Sequence, residues 1–255
     1  MPQETLQVIT NRFKTTDLEL LPELLSEYRS DERTGVRKLF EQAEKKIANR
    51  QAEINRIIRM SKFEQEYAHF GFVCGIDEVG RGPLAGPVVA GAVILPQNCH
   101  ILYLNDSKQI AEKRREELYH IIISQAIAYG IGYASPQRID EINILNATYE
   151  AMRDAIIALR VKPQVLLNDA VTIPGVDIMQ VPIIKGDTKS ASIAAASIIA
   201  KVTRDRLMVE YDTIFPGYGF ASHKGYGAVS HLAAIREHGP VPIHRRSFLK
   251  NLMDA

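Results

Sequence analysis

The chain has 255 residues, of which 46% are hydrophobic and 24% charged; 31 Lys+Arg against 30 Asp+Glu give a formal net charge of +1. This is ordinary globular composition, and it excludes a disordered tail protein, a collagen-like chain and a disulfide-stapled miniprotein. Charge this balanced does not advertise nucleic-acid binding, so any such site has to be a local patch.

The two cysteines, Cys74 and Cys99, are too few for a disulfide framework and have no metal-ligand spacing. They lie in or beside apolar runs, where buried free thiols are expected. The start, Met1-Pro-Gln-Glu-Thr5, has no basic stretch leading into an apolar core, so no signal peptide is expected. The longest apolar run, Val88 to Leu95, falls far short of the roughly 20 residues of a membrane span. A soluble, cytoplasmic protein with no membrane contact is the expectation, and a monomer is the default, since nothing in the sequence signals an oligomer.

In chain order, Thr16-Asp-Leu-Glu19 reads as a capping box opening a short helix, with the Thr hydroxyl and Glu carboxylate satisfying orphan backbone donors. From Val36 to Phe70 there is no Gly or Pro, and Leu39, Phe40, Ala43, Ile47, Ile54, Ile57, Ile58 and Phe63 recur mostly every three or four residues. That spacing predicts one long amphipathic helix. Residues 1–70 therefore form a small all-helical N-terminal extension. Its twelve basic and twelve acidic residues indicate no strong phosphate-binding arm. A packed helical hairpin or a substrate or partner handle would both fit.

From residue 71 to 255 strands and helices mix. Phe72–Ile76, Val88–Leu95, Ile127–Ala134, Val165–Leu167 and Ile178–Ile184 read as strands. Glu112–Ala126, Ile139–Leu159 and Thr188–Tyr211 read as helices, the last with a face of Ala191, Ala194, Ala195, Ala196 and Ala200. Phe215–Gly227 reads as a loop, followed by a helix over Ser230–His238, then Pro240, Pro242 and the basic His244-Arg-Arg246. The pattern implies one α/β domain around a central sheet.

Acidic residues cluster at the ends of the apolar runs: Asp77-Glu78, Asp169 and Asp187. If the strand ends meet at one edge, carboxylates gathered there repel unless cations neutralise them. Oxygen-only ligation favours Mg²⁺ or Mn²⁺, and a pair of such ions suits in-line displacement at phosphorus. On spacing alone, solvated strand-end charges explain the pattern equally well. Between these carboxylates, Gly80-Arg-Gly82-Pro-Leu-Ala-Gly86-Pro is either a tight turn or a loop whose N–H groups approach a ligand; its spacing fits neither a Walker loop nor a dinucleotide fingerprint. Asn105-Asp-Ser-Lys108 could hold a phosphate through Ser107 and Lys108, or cap the next helix through Asp106 or Ser107. His223-Lys-Gly-Tyr226 sets an aromatic beside a cation, a stacking pair or an ordinary loop.

In order, Gly75-Ile-Asp-Glu-Val-Gly-Arg-Gly-Pro-Leu-Ala-Gly-Pro-Val-Val-Ala90, Asp106-Ser-Lys108, Lys185-Gly-Asp187, Ser192-Ile-Ala-Ala-Ala-Ser-Ile-Ile-Ala-Lys201-Val, His223-Lys-Gly-Tyr226 and His244-Arg-Arg-Ser-Phe248 resemble ribonuclease HII over essentially all of residues 71–255. The resemblance implies an RNase H-like fold, a central mixed five-stranded sheet flanked by helices. It implies an endonuclease that cuts the RNA strand of RNA–DNA hybrids and nicks 5′ of single ribonucleotides embedded in duplex DNA, leaving 5′-phosphate and 3′-hydroxyl ends. It places the catalytic, metal-binding carboxylates on Asp77, Glu78, Asp169 and Asp187, with two Mg²⁺ or Mn²⁺ ions activating water and stabilising the leaving oxygen, and Asp77 bridging them. Ala170 stands after Asp169 where the family often has Gly.

The 2′-hydroxyl is what tells RNA from DNA at a site. The resemblance assigns its reading to the backbone of Gly80, Arg81 and Gly82, and packing on the next sugar to Tyr226. Lys108, Lys189, Lys201 and Arg204 are candidate phosphate contacts, with solvated helix-face charges as the plain alternative. Ribonuclease HIII, a sister family, also carries an N-terminal extension, but it usually has Lys where Arg81 stands, and its extension contains strands. A non-catalytic hybrid-binding module would have no use for clustered carboxylates facing phosphate, and a junction resolvase would have none for ribose-reading glycines.

Overall fold

The computed structural model describes residues 4–253, with side chains through Leu249. It divides into two compact units, Met1–Arg56 and Ile57–Ala255, a boundary earlier than the change of texture near residue 71. Among the described residues no helix is long and apolar enough to cross a membrane.

The first unit holds α1 (Leu6–Thr15), α2 (Leu21–Glu27) and most of α3 (Thr34–Met60) around a core of Ile9, Phe13, Leu21, Leu24, Val36 and Ala43. The expected capping box is corrected here. Thr5 caps α1 by accepting from the Val8 N–H, Thr16 is the residue that closes α1, and α2 starts at Leu21 with Pro22 in its first turn and no side-chain cap. Proline's fixed φ and missing N–H suit a first turn, and here they open the helix without a cap.

The single long helix expected to run to Phe70 breaks at Ser61. The Ser61 hydroxyl bonds back to the Ile57 carbonyl at 3.0 Å, a pairing that loosens a helix end, and the chain restarts as α4 (Lys62–Tyr67) and a 3₁₀ turn over Ala68–Phe70. Ile57 and Met60 already belong to the core of the second unit.

That unit is built on five strands, β1 (Val73–Val79), β2 (Val88–Ile94), β3 (Ala128–Ala134), β4 (Val165–Asp169) and β5 (Met179–Ile183), in the order β3-β2-β1-β4-β5. β1–β2 and β2–β3 are antiparallel, while β1–β4 and β4–β5 are parallel. The helices are α5 (Glu112–Gln125), α6 (Pro136–Ile157), α7 (Ala191–Ile214), α8 (Phe220–His223), α9 (Val229–His238) and α10 (Arg246–Met253). α5 and α7 pack with Val93 in one core, and α6 packs on Cys74, Ile76, Ala90 and Ala92 of the opposite sheet face in another. The expected strands and the mixed sheet flanked by helices are all present. α6 is kinked at Asn143, whose φ is +68° and whose side chain accepts from the N–H groups of Leu145 and Asn146.

Glycine governs how closely the layers approach. A Cβ at Gly75 of β1 would lie 2.1 Å from the Ser192 main chain of α7, and one at Gly132 of β3 would lie 2.0 Å from the Ala151 carbonyl of α6. The small face of α7 seen in the sequence therefore rests backbone against backbone on the sheet.

Candidate active site

Because β1, β4 and β5 are parallel, their C-terminal ends lie at one edge of the sheet, where ligand sites of such sheets are placed. Ile76 pairs with Asn168 and Asp169 with Ile183, so Asp77 stands level with Asp169, the last residue of β4, two residues before β1 itself ends. Lys185 turns the chain with φ +57° into a 3₁₀ turn, Gly186–Thr188, that carries Asp187. The Gly186 N–H donates to the Asp169 carboxylate at 2.7 Å.

The electrostatics record this convergence. Asp77 is 7% exposed, and burial, then the charges of Glu78 and Asp169, push its carboxyl well above the usual range while a hydrogen bond with Ser197 opposes them. Burial raises Glu78 and the nearby Arg81 guanidinium lowers it, with Arg81 Nη1 at 3.3 Å from the Glu78 carboxylate. Asp187 is raised by burial, then by Asp106 and Asp169, and lowered by Lys108. Each of the four carboxylates thus acts on at least one of the others, and Asp106 joins the group as a further acid. Among the described residues no three His, Cys, Asp or Glu side chains stand in an arrangement that already encloses a metal ion. The donor set nonetheless suits hard divalent cations, being carboxylate throughout and self-repelling without a counter-charge.

Beside these acids, Arg81 and Gly82 are exposed while Gly80 is buried. A Cβ at Gly82 would have only the Tyr226 ring near it, at 3.8 Å, so Tyr226, which is 42% exposed, stands directly beside the glycine loop. Tyr226 is held from behind by a chain of histidines. His244 Nδ1 accepts from the Val241 N–H at 2.9 Å, leaving its Nε2–H for His231 Nε2 at 3.0 Å, and His231 Nδ1 then donates to the Tyr226 carbonyl at 2.7 Å. Lys108 and Lys189 are exposed, and Lys108 lies close enough to Asp187 to lower its pKa.

Three expectations are corrected. Ser107 is 2% exposed, and its hydroxyl is hydrogen-bonded to that of Ser197 at 2.9 Å, so that side chain is turned inward from any phosphate; Asp106 does the capping, accepting from the Lys108 N–H at 3.0 Å. Arg204 is fully buried and donates to the carbonyls of Ala85, Pro87 and Lys224. Lys201 is drawn onto Asp205 at 2.7 Å. Two supporting residues escaped the sequence reading. Glu64 of α4 accepts from the Ser192 N–H at 2.8 Å and from the hydroxyls of Ser190 and Ser192, satisfying the start of α7. Arg245 binds the glycine loop from behind. No periodicity marks a single carboxylate as the cap of a helix more than a hundred residues away, although the charge run at His244-Arg-Arg246 did single out the second segment.

A family model described as Ribonuclease HII matches residues 74–251. The chain belongs to the ribonuclease HII family. A further model, the Ribonuclease HII N-terminal domain, matches residues 5–68, which accounts for the helical extension and separates the chain from ribonuclease HIII. A Ribonuclease HII of Lachnoclostridium phytofermentans is 62% identical over 243 residues, covering 93% of this chain and 96% of the relative. One of Clostridioides difficile (strain 630) is 49% identical over 255 residues, covering 99% of this chain and all of the relative. Among solved structures, the ribonuclease H2 from Pyrococcus horikoshii OT3 superposes with a TM-score of 0.60 at 29% identity, covering 72% of this chain and 97% of that one. The protein is therefore an enzyme, a hydrolase of the ribonuclease H type, with an RNase H-like fold.

Proposed function

We propose that this ribonuclease HII family member cuts the RNA strand of RNA–DNA hybrids and nicks duplex DNA on the 5′ side of a single embedded ribonucleotide, leaving 5′-phosphate and 3′-hydroxyl ends. The observation that carries this reading is the pairing of two features on one edge: the mutually repelling Asp77, Glu78, Asp169 and Asp187, and an exposed Arg81-Gly82 backbone faced by Tyr226.

Asp77, Glu78, Asp169 and Asp187 would hold the divalent cations, two Mg²⁺ or Mn²⁺. When bound, such ions supply the Lewis acidity that activates water for attack on phosphorus and stabilises the departing 3′ oxygen. Asp77 is held in β1 beside the neighbouring helix and Asp169 at the end of β4 by the Gly186 N–H. Glu78 and Asp187 lie nearer solvent and complete the set. The glycine loop presents main-chain groups to the ribose 2′-hydroxyl, and Tyr226 packs on the following sugar, so a ribose-to-deoxyribose junction is sensed. Lys108 and Lys189 are placed to meet phosphates.

The deciding experiment is cleavage of an end-labelled DNA duplex carrying one ribonucleotide, with Mg²⁺, with Mn²⁺ and with EDTA. Metal-dependent nicking 5′ of the ribonucleotide is expected. Cleavage of long hybrids alone would remove the single-ribonucleotide activity, and binding without cutting would remove the nuclease.

A further inference from the structure

Arg245 is fully buried, yet all of its side-chain hydrogen bonds go to main-chain carbonyls of the glycine loop. Its Nη1 donates to the Arg81 carbonyl at 2.8 Å, its Nη2 to the carbonyls of Gly80 and Gly86, and its Nε to Gly86 at 3.0 Å. The neighbouring Arg204 is buried in the same way. Burial lowers both guanidinium pKa values, to about 9 for Arg245 and about 10 for Arg204. Sinking two cations where main-chain oxygens take the place of water is expensive. A loop of ordinary turns needs no such device.

What the device does follows from peptide geometry. In a trans peptide the C=O and the following N–H point in opposite directions. Arg245 draws the Gly80 and Arg81 carbonyls inward, and so it turns the N–H groups of Arg81 and Gly82 outward. The rest of the loop is already committed. The N–H groups of Leu84 and Ala85 go to the Gly225 carbonyl and that of Gly86 to the Ile243 carbonyl, while Pro83 and Pro87 have none to offer. Among the described residues of this loop from Arg81 to Pro87, the two outward donors are therefore the ones the clamp selects. They belong to adjacent, exposed residues, with the Tyr226 ring beside Gly82, and two such neighbouring donors form a nest suited to an oxygen atom.

We infer that Arg245 is a positioning residue for ribose recognition: it inverts the Gly80–Gly82 peptides so that preference for a 2′-hydroxyl depends on a buried arginine that never touches nucleic acid. This rests on the reading given under Proposed function. Arg204 packs against Gly80 as well, but it donates to the carbonyls of Ala85, Pro87 and Lys224 and to neither inverted carbonyl, so it is the control for loss of a buried guanidinium without loss of the clamp.

The test uses the full chain carrying Asp77→Asn, so that duplexes stay uncut, and measures affinity by fluorescence anisotropy for a duplex with one embedded ribonucleotide and for its all-deoxy counterpart. Adding Arg245→Lys keeps the charge but cannot span three carbonyls. It is expected to reduce the ribose preference about tenfold with the all-deoxy affinity unchanged, whereas Arg204→Lys lowers the melting temperature and keeps the preference. A preference retained in Arg245→Lys, or lost equally in both variants, would overturn the clamp. Should Arg245→Lys not fold, amide NMR of the Asp77→Asn protein decides. The Arg81 and Gly82 amide protons are expected to move downfield with the ribose-containing duplex and not with the all-deoxy one, and amides that stay put overturn the inference. A parent that itself shows no ribose preference, with a wild type that does not nick, would remove the underlying functional reading and the clamp with it; a parent with the preference and a variant that keeps it removes the clamp alone.

Discussion

Asp169 and Gly186 are joined by a 2.7 Å hydrogen bond from the Gly186 N–H to the Asp169 carboxylate, which straps the turn carrying Asp187 to the end of β4. Asp169→Asn keeps an acceptor for that N–H but removes the charge. The variant is expected to fold and melt within a few degrees of wild type and to lose cleavage by about a hundredfold or more, the scale on which a preorganised charge acts. Thermal melting beside single-turnover cleavage checks both halves.

Asp77→Asn is the companion case. Its carboxyl sits at the centre of the repelling set, so replacing it is expected to abolish cleavage while leaving hybrid affinity nearly intact, because it removes a cation ligand and no phosphate contact. Near-normal turnover would show that the carboxylates do not hold the cations.

Tyr226 stands over the glycine loop with 42% of its surface exposed, and its backbone, not its ring, is tied to His231. Tyr226→Ala should therefore leave the melting temperature almost unchanged while reducing nicking at a single embedded ribonucleotide about tenfold, given about 1–3 kcal/mol for stacking by an aromatic. An unaltered rate and junction preference would count against its role.

Ala170 adopts φ +56°, the left-handed region where a Cβ is strained. It is exposed, so nothing packs on its methyl group to repay that strain. Ala170→Gly is expected to raise stability by about 0.5–1 kcal/mol, measured by urea unfolding, with cleavage unchanged. A drop in stability would mean that the unfolded-chain entropy of glycine outweighs the strain relieved.

His244 gives the protein an acid-sensitive contact. Burial, then the nearby His231, lowers its pKa from 6.5 to about 4, and His231 is lowered by burial as well. The folded pKa is depressed, so the stabilisation is complete above pH 6.5 and is lost as pH falls toward 4, where the unfolded chain binds a proton the folded one refuses. His244 alone contributes a slope of about 1.4 kcal/mol per pH unit in that window. His244→Gln should flatten the fall measured by urea unfolding across it; an equally steep curve would place the acid sensitivity elsewhere.

The strands and the acids at their ends were legible because apolar runs of strand length stop abruptly at charged residues, as at Val165–Asp169. The glycine loop was legible as a loop, but its direction was not, since which way a peptide faces depends on Arg245, more than 150 residues away. Ser107 and Arg204 misled for a common reason: a hydroxyl and a guanidinium read as surface groups until a partner such as Ser197 or the Ala85 carbonyl supplies the missing hydrogen bonds inside. The capping box at Thr16 was a valid local pattern overruled by Pro22, which opened α2 without it. Helix α10 was missed because the proline-spaced, basic approach to it reads as loop.

Finally, Gly75 brings the strand that bears Asp77 against the main chain of α7 at Ser192, while Val73 with Ile193 and Val79 with Ala200 fill the space on either side. The same helix carries Ser197, the hydroxyl partner of Asp77. With no side chain at residue 75 to change rotamer, strand and helix have little room to slide at that point, so the spacing between β1 and α7 should change little on warming until the whole layer comes apart.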